Sequence, residues 1–215
     1  MLQLLRKNKL FFALFFLYLL IGAFFLFFFS KEESFLYINH HHNSFFDHFF
    51  KYATFLGDGR FCIIASIAFL FIRYAYAIIA ATAYLLSGLI TQVLKRFIFI
   101  NHERPIAFFK EKSIHIIDGI TIHSAHSFPS GHTTSAFCIF TLLALIVANR
   151  FWGFIFFLLA LIAAYSRIYL AQHFLEDVYV GSAIGSATAI FVFLFLMRKF
   201  TISNSKWQEL SLLNR

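Results

Sequence analysis

The sequence LFFALFFLYLLIGAFFLFFF, Leu10–Phe29, is a run of 20 residues without a charged side chain. At a rise of 1.5 Å per residue, an α-helix of this length is about 30 Å long, which matches the hydrocarbon core of a bilayer. A secretory signal peptide would have a shorter apolar region and a cleavage site of small residues. The run therefore predicts an uncleaved transmembrane helix.

The composition of the whole chain supports a membrane protein. Of its 215 residues, 60% are hydrophobic, 34 are Phe and only 13% are charged. A soluble domain of this size could not bury so much apolar surface. No linker rich in Gly, Pro or Ser and no internal repeat divides the chain, so residues 1–215 are expected to form a single membrane-embedded domain.

Further apolar segments predict five more transmembrane helices. Residues 61–94 are too long for one span and contain Arg73, so we expect two helices with a turn at Arg73 and Tyr74, outside the hydrocarbon. The other three are Thr133–Ala148, Phe151–Tyr169 and Val178–Met197. Residues 30–60 carry apolar residues at helical spacing among polar ones, which predicts an interfacial amphipathic helix. The predicted fold is all-α, with six transmembrane helices and this interfacial helix after the first.

The distribution of charge predicts an orientation. Six spans place both termini on one face, where basic residues such as Arg6, Lys7 and Arg73 make that face cytoplasmic by the positive-inside rule. The loops 95–130 and 166–177 then lie on the other face. We therefore expect a multi-pass protein of the inner (cytoplasmic) membrane whose polar loops face the periplasm. The net charge of +8 is attributed to these flanking cations and to an anionic substrate, and no nucleic-acid partner is expected.

Histidine and cysteine give weak signals for a metal. Three adjacent histidines on a helix, His40 to His42, cannot all face one ion, so interfacial polar residues are the favoured interpretation. Cys62 and Cys138 both lie in apolar runs, where neither a disulfide nor a metal site is expected. The sequence predicts no metal ligand and no cofactor.

Groups that can bind phosphate converge on the predicted outer face from three separate segments. The sequence PSGH, 129–132, can begin a helix at which Ser130 and Gly131 leave free backbone N–H groups for an anion. Arg104 and Arg167 carry planar guanidinium groups that match phosphate oxygens. Each signal alone has an ordinary structural explanation, but together they predict an anion site.

Two histidines and a carboxylate accompany these cations. His173 and Asp177 are four residues apart, so they share one face of a helix. Asp177 can accept a hydrogen bond from one ring nitrogen and leave the other as a nucleophile or base. His132 can lie opposite them as an acid. The combination predicts a catalytic site for a phosphorylated substrate.

With PSGH at 129–132 and SRIYLAQHFLED at 166–177, the chain resembles the type 2 phosphatidic acid phosphatases, the membrane branch of the superfamily that includes the vanadium haloperoxidases. The second family motif, PSGH, and the third, SR-x5-H-x3-D, are complete. The first motif, usually K-x6-RP, reads KRFIFINHERP, with eight residues between Lys95 and Arg104. The resemblance covers about residues 55–197, which would form the catalytic core.

The resemblance implies a six-helix core and a metal-independent reaction through a phospho-histidine. His173 would attack phosphorus, Asp177 would orient it, and His132 would protonate the leaving oxygen. The phosphate would be held by Lys95, Arg104, Ser130, Gly131 and Arg167. Arg96 is the alternative to Lys95 in the stretched first motif, and the family's residue type favours Lys95.

The expected function is that of an integral membrane lipid phosphatase, which hydrolyses a phosphate monoester or diphosphate of a lipid. Undecaprenyl diphosphate, phosphatidylglycerol phosphate, phosphatidate and lipid A all fit as substrates. A lipid-to-lipid phosphotransferase is the alternative. A transporter is disfavoured, because its charged residues would lie in mid-helix. The sequence leaves the substrate and the oligomeric state open.

Overall fold

A computed structural model describes residues 7–110, 114–203 and 206–214, and every regular element within them is a helix. This confirms the predicted all-α class. The α-helices are α1 (Lys9–Phe28), α2 (Lys31–His40), α3 (Ser44–Ala53), α4 (Gly59–Ala68), α5 (Tyr74–Val93), α6 (Pro105–Phe108), α7 (Gly131–Val147), α8 (Arg150–Tyr169) and α9 (Leu175–Ser203). Short 3₁₀ turns lie at Thr54–Gly57, Phe69–Phe71 and Lys206–Glu209, and a π turn extends α5 over Leu94–Ile98.

Four of the described helices are long and apolar enough to cross a membrane, namely α1, α5 with its π turn, α8 and α9. A fifth span results if Ser44–Gly57 and Gly59–Phe71, which meet at an angle of 53°, are counted together. The predicted number of six is not confirmed. Gly59–Phe71 by itself is only about 20 Å long at the helical rise of 1.5 Å per residue, which is shorter than the hydrocarbon core. Helix α7, with 17 residues, is also shorter than the four helices counted above.

The predicted break at Arg73 is confirmed. Arg73 has an extended backbone and precedes the first residue of α5. The Tyr74 N–H donates to the Leu210 carbonyl over 2.9 Å, and Arg73 forms an ion pair with Glu209. The C-terminal segment therefore lies at the same end of the bundle as the Arg73 turn.

The region predicted as one interfacial helix contains two helices with a break at His41–Asn43. Ser30 and Glu33 form a capping box at the start of α2. Asn43 accepts a hydrogen bond from the Phe46 N–H and so begins α3. Since each helix has its own N-terminal cap, the two can point in different directions.

Helices α7 and α9 are in close contact at the end of the bundle opposite Arg73. A Cβ atom on Gly181 would lie 2.7 Å from the Ser130 carbonyl oxygen, and one on Gly185 would lie 2.3 Å from that of Thr134. Only glycine permits this approach of the two backbones. At the same place the Ser130 N–H donates to the Asp177 carbonyl over 3.0 Å, which joins the starts of both helices.

Candidate active site

The end of α8 and the start of α9 are joined by a tight connection that carries His173. Ala171 adopts a left-handed conformation with φ of 53°, and the N–H groups of Gln172 and His173 both donate to the Arg167 carbonyl over 3.0 Å. This turn folds His173 back beside Arg167. His173 is 2% exposed and Asp177 is fully buried.

His173 is held on one side by Asp177. The distance from His173 Nδ1 to Asp177 Oδ2 is 3.1 Å, and the same carboxylate oxygen accepts from the Phe174 N–H over 3.0 Å. Ser127 Oγ donates to this oxygen as well and lies 3.4 Å from His173 Nδ1. Because Nδ1 is engaged, Nε2 is the nitrogen available to a substrate.

Arg104 is fixed in the site by main-chain and side-chain acceptors. Its Nε donates to the Ala125 carbonyl over 3.1 Å, and its Nη1 donates to the carbonyl of Gln172 over 3.2 Å and to the Gln172 side-chain oxygen over 3.1 Å. Gln172 is itself buried and donates to the Thr121 carbonyl. Sequence reasoning missed Gln172, although it immediately precedes the predicted nucleophile.

Arg167 is almost completely buried, and only part of its guanidinium group is paired. Its Nη1 donates to Thr54 Oγ1 over 2.7 Å, whereas its Nε has no hydrogen-bond partner among the described residues. An unpaired N–H in a buried cation is costly. An anion bound next to Arg167 would satisfy it.

The two candidate cations of the first motif differ in exposure. Lys95 is 8% exposed, whereas the neighbouring Arg96 points to the surface. Both lie on the π turn, which holds one residue more per turn than an α-helix and so takes up part of the lengthened spacing. Burial favours Lys95 as the residue that faces the site.

The start of α7 contributes Ser130, Gly131 and His132. Ser130 Oγ caps the helix by accepting from the Thr133 N–H. A Cβ atom on Gly131 would meet nothing closer than a Thr91 methyl carbon at 4.0 Å, so packing alone does not require this glycine. His132 is partly exposed, and its Nε2 lies 4.0 Å from Asp58 Oδ2. Sequence reasoning did not identify Asp58.

A cavity of about 510 Å³ opens beside His132. Glycines and apolar side chains of α5 form much of its wall. Its lining residues are Gly57, Gly59, Tyr84, Leu85, Gly88, Leu89, Thr91, Gln92, Gly131, His132 and Ser135. The cavity gives a ligand access to the predicted acid.

The electrostatic environment of His173 is strongly positive. Burial lowers the pKa of its imidazole well below the usual range, and the charges of Arg104, Arg167 and Lys95 lower it further. His173 is therefore neutral at pH 7, which a nucleophile requires. Because three buried cations surround this histidine and Asp177 is the nearby carboxylate, the site favours a ligand of high negative charge.

The structure brings all eight predicted site residues to one end of the bundle. Gly131 and His132 lie at the edge that faces the cavity. The other six are buried, namely Lys95, Arg104, Ser130, Arg167, His173 and Asp177. The arrangement can bind a tetrahedral oxyanion between three cations and the α7 N–H groups, with one histidine placed to attack it.

Comparison with known proteins agrees with these motifs. The PAP2 superfamily matches residues 76–201. Over 158 residues the chain is 29% identical to a lipid A 4'-phosphatase of Porphyromonas gingivalis, and the match covers 67% of this chain and 63% of that protein. The chain thus spans less than two thirds of this relative.

Two crystal structures have a similar fold. LpxE of Aquifex aeolicus is 29% identical, with a TM-score of 0.69 over 78% of this chain and 97% of that one. A PAP2-type phosphatidylglycerolphosphate phosphatase of Bacillus subtilis is 21% identical, with a TM-score of 0.63 over 88% of this chain and 96% of that one. At this lower identity the second similarity concerns the fold alone.

Proposed function

The chain belongs to the PAP2 superfamily, and from this premise we propose that it is a membrane phosphatase which hydrolyses the phosphate ester of a lipid through a phospho-histidine. One observation carries the proposal. The neutral imidazole of His173, with Nδ1 held 3.1 Å from Asp177, lies among Lys95, Arg104 and Arg167 at the ends of membrane helices.

In the proposed first step, His173 Nε2 attacks phosphorus and the bond from phosphorus to the lipid oxygen breaks. His132, which takes up a proton when the anionic substrate binds beside it, gives this proton to that oxygen, and the lipid alcohol leaves. Asp177 stabilises the positive charge that develops on the imidazole of His173. The three cations and the N–H groups at the start of α7 stabilise the charge on the equatorial phosphate oxygens.

In the proposed second step, water attacks the phospho-histidine. His132, which is now neutral, takes a proton from this water, and the bond between phosphorus and Nε2 breaks to release inorganic phosphate. His173 returns to its neutral state and His132 to its protonated state. The cycle uses charge already present in the fold, and the positions of these residues support both proposed steps.

For the substrate, we propose a phosphorylated lipid of the lipid A class. Two relatives at 29% identity support this choice, since one is a lipid A 4'-phosphatase and the other is LpxE. We further propose that the site faces the periplasmic side of the inner membrane. The cation Arg73 and the C-terminal segment at the opposite end of the bundle support this orientation.

The test is phosphate release by the purified protein in detergent, with lipid A, phosphatidate, phosphatidylglycerol phosphate and undecaprenyl diphosphate assayed side by side. We expect release to be fastest from lipid A and to be absent in His173→Ala. A ³²P-labelled substrate should leave acid-labile label on the wild-type chain. Equal release by wild-type and His173→Ala protein would overturn the mechanism, and transfer of the label to an acceptor lipid without free phosphate would indicate a phosphotransferase.

A further inference from the structure

A second group of polar side chains lies outside the phosphate site. We call His42, Asp47 and His115 the His–Asp cluster. One ligand atom from each of the three residues lies within 4.8 Å of the others. His115 Nε2 is 3.0 Å and 3.1 Å from the two carboxylate oxygens of Asp47, and the ring of His42 stacks on that of His115 with centroids 3.6 Å apart.

These distances suit one metal ion. Because bonds from Zn²⁺ to nitrogen and oxygen are about 2.0–2.2 Å, ligand atoms on a tetrahedral zinc lie about 3.3 Å apart, close to the observed separation of His115 and Asp47. His42 is exposed, so its side chain has room to turn out of the stack with His115 and direct a ring nitrogen to the same point. Two imidazoles and one carboxylate are the protein ligands of zinc sites in which water takes the fourth position, whereas Mg²⁺ and Ca²⁺ prefer oxygen ligands.

Buried neighbours hold two of the three ligands in place. Asn39, which is 1% exposed, donates to the His115 carbonyl over 3.0 Å and accepts from the His115 N–H over 2.8 Å. Tyr169, which is 2% exposed, donates from its hydroxyl to Asp47 Oδ1 over 2.6 Å. The bonds from Asn39 fix the backbone of His115, and the bond from Tyr169 orients the Asp47 carboxylate, as hydrogen bonds to metal ligands do.

The three histidines at 40–42 do not act as a unit. His40 is the last residue of α2, and the His41 ring lies 2.6 Å from the Tyr37 carbonyl. Only His42, beyond the end of the helix, reaches the cluster. Its partner His115 is far away in sequence, in the loop before α7.

We propose that His42, Asp47 and His115 bind one structural zinc ion, which fastens this loop to α3. The loop carries three groups that contact the phosphate site, namely the Thr121 carbonyl, the Ala125 carbonyl and Ser127. Asp47 is also bonded to Tyr169, two residues after Arg167 and four before His173. The ion would therefore stabilise the loop and the end of α8 without taking part in the reaction.

The test uses the full-length protein in detergent, purified without a polyhistidine tag. The protein is first treated with a chelator and then dialysed against Zn²⁺ or Mg²⁺. We expect one bound zinc per chain by elemental analysis and a rise in the melting temperature with Zn²⁺ but not with Mg²⁺. His42→Ala should lose both effects, and His41→Ala, the matched control, should keep them.

Two results would overturn the proposal. One is a wild-type protein that retains no zinc and whose melting temperature does not change with Zn²⁺, in which case the cluster is a hydrogen-bonded network only. The other is zinc binding that is equal in His42→Ala and wild type. His42→Ala is the main variant because the ring of His42 is exposed and carries little of the packing. His115→Ala would also remove the contact to Asp47. Both readouts are independent of phosphatase activity.

Discussion

Ser127 Oγ donates a hydrogen bond to Asp177 Oδ2, the same carboxylate oxygen that faces the imidazole of His173. Both residues are completely buried. Ser127 comes from the loop before α7 and Asp177 from α9, so this bond ties the loop to the proposed nucleophile. The orientation of the carboxylate therefore depends on a residue outside the family motifs.

Replacing Ser127 should slow the reaction without removing it. In Ser127→Ala the carboxylate loses one of its donors, and we expect kcat to fall roughly tenfold, the equivalent of one buried hydrogen bond of about 1.4 kcal/mol. KM should change little, because Ser127 is not among the predicted phosphate ligands. Ser124→Ala, at an exposed position of the same loop, is the control. Wild-type kcat in Ser127→Ala would show that Asp177 needs no such support.

The stretched first motif gives a matched pair of variants. Lys95 is buried beside the site and Arg96 is exposed, so we expect Lys95→Ala to lose about 100-fold or more of kcat/KM, as for other groups that stabilise transition-state charge. Arg96→Ala should retain most activity. Specific activity in detergent, measured on protein of equal melting temperature, distinguishes the two. A larger loss in Arg96→Ala would mean that the π turn presents the other cation to the substrate.

Much of the site could be predicted from local sequence, because PSGH places its groups within four residues and the segment from Ser166 to Asp177 places Arg167, His173 and Asp177 within 12 residues. Ser127 and Gln172 could not be predicted in this way. Their roles depend on contacts with Asp177 and Arg104, which lie 50 and 68 residues away. A lone serine or glutamine in a polar loop has no pattern that distinguishes it.

The fold was predictable to a similar degree. A charge within an apolar run identified the break at Arg73, because a cation is costly in hydrocarbon. Hydropathy did not identify the bend of 53° between Ser44–Gly57 and Gly59–Phe71, since it reports composition and not direction. The His–Asp cluster was equally hidden, because His42 and His115 meet only through the packing of the loop on α3.

The buried state of His173 should make the stability of the fold depend on pH. The unfolded chain binds a proton at an imidazole pKa of about 6.5, whereas the folded chain, in which the pKa is well below this, does not. The unfolded state therefore binds more protons below about pH 6.5, and the free energy of unfolding falls as the pH falls.

We expect the melting temperature to decrease from about pH 7.5 to about pH 5, and to decrease less in His173→Gln, which has no imidazole to protonate. His123→Gln, at an exposed loop position, should keep the wild-type dependence. The measurement is a melting curve in detergent at each pH. The same pH dependence in His173→Gln and wild type would show that His173 is not the group responsible.

Removal of divalent metal should affect stability and not the chemical step. Lys95, Arg104 and Arg167 already provide the positive charge that a phosphoryl transition state requires. Phosphate release measured well below the melting temperature should therefore persist in EDTA. The assay is most informative in His42→Ala, because this variant lacks one of the three proposed zinc ligands. Complete loss of its activity in EDTA, with recovery on addition of Mg²⁺ or Zn²⁺, would show that a metal acts in catalysis.

The two ends of the bundle allow the orientation to be tested with single cysteines. Lys110 and Lys206 are exposed at the site end and at the C-terminal end. Both native cysteines are buried, so their background reaction should be low. In intact cells with a permeable outer membrane, an impermeant thiol reagent should label Lys110→Cys and not Lys206→Cys.

After permeabilisation of the inner membrane both variants should react, which shows that position 206 is accessible in principle. The expected pattern requires that α7 crosses the membrane as α8 and α9 do, as the sequence predicts, which gives three crossings between the two positions. The basic residues at the C-terminal end then favour the cytoplasm for that end. Labelling of Lys206→Cys alone in intact cells would place the phosphate site on the cytoplasmic face, where lipids on the inner leaflet would be its substrates. Labelling of both would mean an even number of crossings between them, so that α9 or one of its neighbours does not span the membrane.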